Sequence, residues 1–588
     1  MATGMKRKRE DPPSVTPRLV IGIDLGTTFS GVSWLVCQPG SGISSIQPEI
    51  VSLWPTSPDN RRKNSDCPKV PTKIHYGKHG EISWGFKIPA DAEAIECLGL
   101  VLFDDECLPS FFQQSIHIQK AKKLLYKLEK TGIQVIGDYL KMLWDHSLEQ
   151  IRNEVGSTHV DRMTFEVVLV VPPGRPGDIN RIREAAEHAG ILNHRTTGET
   201  TLTLIPQSRA AALAYMPNSE HRGDLQVGDS FVVLNAGGII AGVASYKVTK
   251  LEPFSISAPC GATSLDQEFE ALLKHATGEE SWNKMNASDI RKLMNNEWEH
   301  EIKGTFSKSD ETYVVELPSR ANSEAIHLQS IDLQPTFDHI VSQIAKLLHK
   351  QILSIKRQTS QPPKLVILVG GFGRSAYLLQ YLRGILHSQT SILQARGDKP
   401  WTAACRGATL SRVTQLNWAR QDIDILQSET ARCSYGWTSD EVFDAKVHDM
   451  KDRVWNEANR EWHAQKQIKW FIRQGEDISQ KKTLIFNRWH SWNMQTQGWG
   501  TSIIQVLACD DPNPPSRKQG NIRCLGLIHA RTPKPVEKLP RVDDGPASYR
   551  HWDFKVKVVI SRAWLDFFLV SDEKQEEKLL MTLPMGLK

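Results

Sequence analysis

Leu19 to Val36 reads LVIGIDLGTTFSGVSWLV. Leu19 to Ile23 are mostly β-branched or apolar, the composition of a buried strand. Asp24 ends that strand, Gly26 supplies backbone freedom for a tight turn, and a second strand leads away to Val36. The Thr27 and Thr28 hydroxyls and the successive amides of such a turn can wrap phosphate oxygens. Asp24 beside it can hold Mg²⁺ through water, which suits a hard cation. An ordinary hairpin with a glycine turn has the same local signature.

Further along, Phe231 to Val248, FVVLNAGGIIAGVASYKV, repeats the pattern of strand, glycine turn and strand. Leu365 to Arg374, LVILVGGFGR, runs a hydrophobic strand into Gly370-Gly371, with a helix expected from Ser375. Val168 to Ile191 reads as a strand end followed by a helix from Asp178 to Ala189. Gln207 to Tyr215, Asn296 to Phe306 and Ala404 to Val413 are further helical blocks.

Taken in order from Leu19 to Val413, these blocks resemble the heat-shock protein 70 family of actin-like ATPases. The resemblance implies an α/β fold class: a duplicated, ribonuclease H-like domain of two lobes over residues 19–416, followed by a smaller β-rich domain over 417–588. One hairpin from each lobe would clamp ATP and Mg²⁺. Asp24, Gly26, Thr27 and Thr28 would hold metal and phosphates, with Asp24 acting through water. Gly237 and Gly238 would cover them from the other lobe. Gly370, Gly371 and Arg374 would hold the adenosine, the planar Arg374 guanidinium lying on the base. Lys303 would flank the adenosine with Glu299, although the two are also an ordinary i,i+4 helix pair. Gly407 and Ala408 would let two connecting helices approach closely.

The sequence departs from the family where catalysis is concerned. Gln207 stands where most members carry glutamate, and Asn235 replaces the first aspartate of the second hairpin. A carboxamide can position water, but it cannot take a proton from it. Ile239 and Ile240 occupy a Gly-Thr pair, and Gly242 a later acid. In the family a lysine of the small lobe reaches the γ-phosphate. No lysine lies between Lys87 and Lys120, and Gly99 stands in the matching stretch, Cys97 to Leu100. Phosphoryl transfer depends on positioning and charge stabilisation, so losing several such groups should slow it by orders of magnitude. The expectation is an ATP-binding, chaperone-type protein with weak or absent hydrolysis. The alternative is a nucleotide-independent scaffold on the same fold.

Composition sets the outer bounds. At 588 residues the chain has length for several domains, and 40% apolar and 24% charged residues fit a globular protein. A net charge of +5 makes no case for nucleic acid. No run of about 18 apolar residues suggests a membrane span, and the charged N-terminus is unlike a signal peptide. Nine cysteines, without a CxxC pair, suit reduced thiols and a cytoplasmic setting. Lys6 to Arg9, in a disordered basic tail over residues 1–18, is either a nuclear import signal or a solvated run.

After Asn417 the pattern turns to alternation, as at Phe554, Val556, Val558 and Ile560, and a small β-sandwich is expected. Asn456 to Ile468 reads as a helix within it. Ten of the seventeen tryptophans lie here, most of them expected in the core. In the family such a domain grips apolar peptide segments, which makes unfolded proteins the implied partners. Ile423, Ile425 and Leu426 are a faint interdomain linker.

Overall fold

The computed structural model describes residues 17–38, 47–57, 67–89, 92–102, 115–171, 177–215, 225–226, 228–238, 241–248, 254–258, 263–294, 297–298, 302–307, 311–318, 325–417, 431, 433–456, 461–474, 476, 482–509, 511, 513–518, 522–544, 547–560, 564–570 and 577–584. The basic tail through Thr16, Ile239, Ile240, Glu299 and the linker candidates Ile423, Ile425 and Leu426 lie outside them.

The first sheet is built from β1 (Arg18–Asp24), β2 (Phe29–Cys37), β3 (Glu49–Ile50), β4 (Val70–Pro71), β7 (Thr164–Val171) and β8 (Thr201–Pro206), with β5 (Ile74–Tyr76) and β6 (Ile82–Trp84) forming a separate hairpin. Its order is β3-β2-β1-β7-β8, with β4 on β2. β1 and β2 are antiparallel, whereas β7 and β8 run parallel to β1. The apolar runs of β1 and β7 are buried almost throughout, as strands covered on both faces require.

The second sheet repeats the arrangement. It holds β9 (Ser230–Ala236), β10 (Ala241–Lys247), β11 (Phe254–Ala258), β14 (Leu365–Val369) and β15 (Ser391–Leu393), in the order β11-β10-β9-β14-β15. β9 and β10 form the antiparallel hairpin, and β14 and β15 follow parallel to β9. A small ribbon of β12 (Thr312–Glu316) and β13 (Ala325–Gln329) stands apart. Each sheet has its own core on its outer side.

Two helices join the sheets. Gln207–Tyr215 and Ala403–Asn417 pack small residues, Ala210, Ala211, Ala212, Ala404 and Ala408, into a core that takes Val168 and Val170 from one sheet and Val233 and Val369 from the other. At Gly407 a Cβ would lie 1.6 Å from the Ala210 carbonyl oxygen, so the helices touch backbone to backbone. Ala403–Asn417 also lies on β1, where a Cβ on Gly22 would meet the Cys405 carbonyl at 2.5 Å. The Ser33 hydroxyl donates to that carbonyl at 2.8 Å. Arg18 and Arg412 hold the buried Glu166 of β7 from either side, at 2.8 and 2.9 Å. Among the described residues no helix is long and apolar enough to cross a membrane.

The C-terminal strands form two more sheets. One has β16 (Ser434–Val442), β17 (Arg453–Asn456), β18 (Glu461–Ile472), β20 (Thr501–Cys509) and β21 (Arg523–Arg531). The other has β19 (Lys482–Asn493), β22 (Arg541–Asp544), β23 (Ala547–Ile560), β24 (Trp564–Val570) and β25 (Glu577–Pro584). One core joins them, with Tyr435, Trp437 and Val506 facing Val556, Val558 and Phe567.

Two expectations are corrected here. Residues 457–460 lie outside the described residues, and among the described ones no helix forms where one was read over Asn456 to Ile468: Asn456 ends β17, and Glu461 to Ile468 belong to the strand β18, paired with β16 and β17. Its Glu, Ala, Gln and Lys favour helix locally, but pairing on both sides overrides that weak preference. A bulge at Lys466, with φ of 63°, breaks the alternation that would have marked a strand. The tryptophans are mostly not core. Trp437 and Trp552 are buried, whereas Trp455, Trp462, Trp489 and Trp499 are exposed, and Trp470 and Trp492 are half-buried.

Asp452, buried beside β17, accepts two hydrogen bonds from Arg517, from Nε and, at 2.9 Å, from Nη2. The Arg517 hydrogen bonds hold its carboxyl below the ordinary value of 3.8, against the opposing effect of burial. A carboxyl lowered in the folded state stabilises above its unfolded pKa, and that contribution is lost as pH falls through the lower folded value. Acid unfolding of the C-terminal sheets should therefore steepen below about pH 4. Asp452→Asn should flatten that slope in a fluorescence titration; an unchanged slope would assign the pH dependence to other carboxylates.

Candidate functional site

The two hairpins place their turns in equivalent positions. Asp24 on β1 lies opposite Gly31 of β2 and Val170 of β7. Asn235 on β9 lies opposite Gly242 of β10 and Val369 of β14. Both strand ends open into one cavity of about 1700 Å³ between the sheets. Asp24, Gly26, Thr27, Thr28, Gln207, Asn235, Gly237, Gly238, Lys303, Gly370, Gly371 and Arg374 all line it. Twelve positions from five separate stretches of chain are thus brought to one place.

At one end the hairpin turns meet. A Cβ on Gly238 would lie 2.2 Å from the Thr28 hydroxyl oxygen, so only glycine allows this approach. Gly26 serves the same purpose within its own turn, where a Cβ would meet the Phe29 carbonyl at 2.2 Å. The two carboxamides, Gln207 and Asn235, also meet, and Asn235 Nδ2 donates to Gln207 Oε1 at 2.7 Å. Gln207 is the first residue of its helix. Two carboxamides bonded to each other supply no carboxylate for a metal and no base for a proton.

Asp24 has a partner that the sequence reading missed. Lys69, just before β4, reaches it with Nζ 2.5 Å from Oδ2, and both side chains are buried, at 6% and 2% exposure. The path of the lysine explains Gly31. A Cβ there would press on the Lys69 stem, 3.0 Å from Cγ and 3.1 Å from Cε. The cross-strand neighbour of Asp24 must therefore be small for the lysine to pass. Removing either member of such a pair leaves an uncompensated buried charge. Cys405 lies close by, where burial pushes its thiol up to about 11. The expected lysine stretch does reach the first turn, since a Cβ on Gly99 would be 3.6 Å from Thr27 Cγ2. The ammonium beside Asp24 comes from Lys69. Nothing local announces that residue, because it reaches Asp24 only through the pairing of β4 with β2.

At the other end Gly370 and Gly371 follow β14. Gly370 has φ of 95°, and a Cβ would strike the Ala236 carbonyl at 2.3 Å. Gly371 faces Trp401, whose Nε1 would be 3.4 Å from its Cβ. Arg374 was expected on a ligand base. Its guanidinium lies over Trp401, 4.3 Å from the ring centroid, and pairs with Asp398 at 2.6 Å. Trp401 also meets Phe29 of the first hairpin edge-on, at 5.2 Å, and so spans the cleft between the sheets. Lys303 pairs with Asp266 at 2.7 Å, and Asp266 also accepts from the Trp298 indole at 2.6 Å. Glu299, its expected helix partner, lies outside the described residues.

Among the described residues no group of three or more His, Cys, Asp or Glu could hold a metal ion. Residues 429–532, from just before β16 to just after β21, match a family described as a domain of unknown function (DUF8568). No curated protein matches the chain.

Proposed function

We infer that the cavity is a nucleotide site, and that the chain is a divergent relative of the heat-shock protein 70 branch of the actin-like ATPases. It binds ATP with weak or absent hydrolysis. The observation that carries this reading is the matched register of the two hairpins, with Asp24 and Asn235 at equivalent strand ends over one cavity. Paired glycine turns suit a phosphate chain, and the Gly370-Gly371 bend beside Trp401 suits a flat base. Weak hydrolysis follows from the Asn235–Gln207 amide pair, which stands where a base and a metal ligand would be needed. In this reading the exposed aromatics of the C-terminal sheets, such as Trp462 stacked under Arg453 at 3.9 Å, contact apolar peptide segments.

Calorimetric titration of ATP into the full-length chain tests the first part. Binding is expected with a Kd below about 1 mM, weakened about tenfold by Arg374→Ala/Trp401→Ala. Phosphate release should stay at the buffer rate. Turnover removed by Gln207→Ala would overturn the weak-hydrolysis part. A second reading, a scaffold that takes no nucleotide, is favoured by one feature: Lys69 neutralises Asp24 at the end where phosphates would sit. Absence of binding at millimolar ATP would leave that reading in place.

A further inference from the structure

A hydrated Mg²⁺ does not fit at Asp24. One carboxylate oxygen is taken by the Lys69 ammonium, and the other, Oδ1, is buried with no hydrogen-bond partner among the described residues. No oxygen of this group is open to the water shell that Mg²⁺ keeps. The equivalent position in the second hairpin is a neutral amide already bonded to Gln207.

We propose that Lys69 takes the place of the divalent cation, so that the cleft binds the phosphate chain of a nucleotide without metal. This rests on the nucleotide reading above and specifies how that site handles charge. Lys69 lines the cavity together with Thr27, Thr28 and Gly238. An ammonium has three donors, and the hydrogen bond to Asp24 uses one of them. Asp24 thus orients a tethered cation rather than holding a free one. The consequence lies in the balance of charge. Asp24 with Lys69 is neutral, whereas a carboxylate with Mg²⁺ carries a net positive charge. The phosphate end therefore adds little for each further phosphate, and the Gly370-Gly371-Trp401 end carries most of the affinity. ATP and ADP should bind alike.

The test is calorimetric titration of ATP, and separately ADP, into full-length protein in excess EDTA and in excess MgCl₂. The expected result is one Kd for each nucleotide within about threefold between the two buffers. Lys69→Met/Asp24→Asn, which removes the charge pair as a unit, should weaken ATP binding in EDTA about tenfold. Lys69→Arg should retain it. Binding seen only with MgCl₂ would overturn the tethered-cation proposal while leaving the nucleotide reading standing. Undiminished binding in EDTA by the double variant would also overturn it. No binding in either buffer removes the nucleotide reading, and this proposal with it.

Discussion

Gly407→Val is expected to prevent the chain from reaching its folded state. A Cβ at this position would sit 1.6 Å from the Ala210 oxygen and 2.4 Å from its carbonyl carbon. Both obstacles are backbone within a helix, so neither can swing aside as a side chain would. The helices must separate or unwind, and the small-residue core between the two sheets opens with them. Overpacking a close core commonly costs about 1–3 kcal/mol. Gly407→Ala should fall at or above the top of that range, and valine well beyond it. Chemical denaturation followed by circular dichroism would measure the difference. Gly384→Ala is the control: a Cβ there has nothing within 4 Å, and stability should be nearly unchanged. A Gly407→Ala protein as stable as the wild type would mean that the two helices do not cross at this point.

Lys69→Met and Asp24→Asn should each destabilise strongly, and together much less than their sum. Each single change strands one group of a buried pair, at a cost of about 3–5 kcal/mol. The double variant buries a thioether beside an amide, with no charge left over. Replacing a buried ion pair as a unit is often close to neutral, so a coupling energy of about 2 kcal/mol or more is expected from the cycle. Additive losses would show that the two side chains do not meet. The same cycle also separates stability from binding, because the double variant remains folded for titration.

The hairpins were legible because each begins with a run of apolar residues and turns on glycine. That pattern places strand, turn and strand, although it is shared with any ordinary glycine-turn hairpin. The repeated sheet order follows from those hairpins, since β7 and β14 each had only one open side of the first hairpin strand to join. Lys69 was not legible. It lies 45 positions from Asp24, and the link depends on β4 folding back on β2 over a short stretch. Trp401 was missed for a similar reason: it gains its role only when the bend after β14 and the start of β2 are brought face to face. The strand β18 was misread because helix-favouring residues and a bulge concealed a partnership on both edges. The exposed tryptophans show the limit of reasoning from residue type alone, for indole has a polar end and is stable half in water.

The helix Ala403–Asn417 comes after the second sheet in the chain but rests on the first, with its backbone against β1 and Arg412 on Glu166 of β7. It is also the last described helix before the C-terminal strands. The departure point for those strands is therefore fixed to the half of the molecule that contains Asp24, although the preceding residues belong to the other half. If the second sheet pivots about the crossing at Gly407, the helix serves as its axle and the departure point stays still. A rotation of the first sheet would instead carry the root of the C-terminal sheets along like a handle.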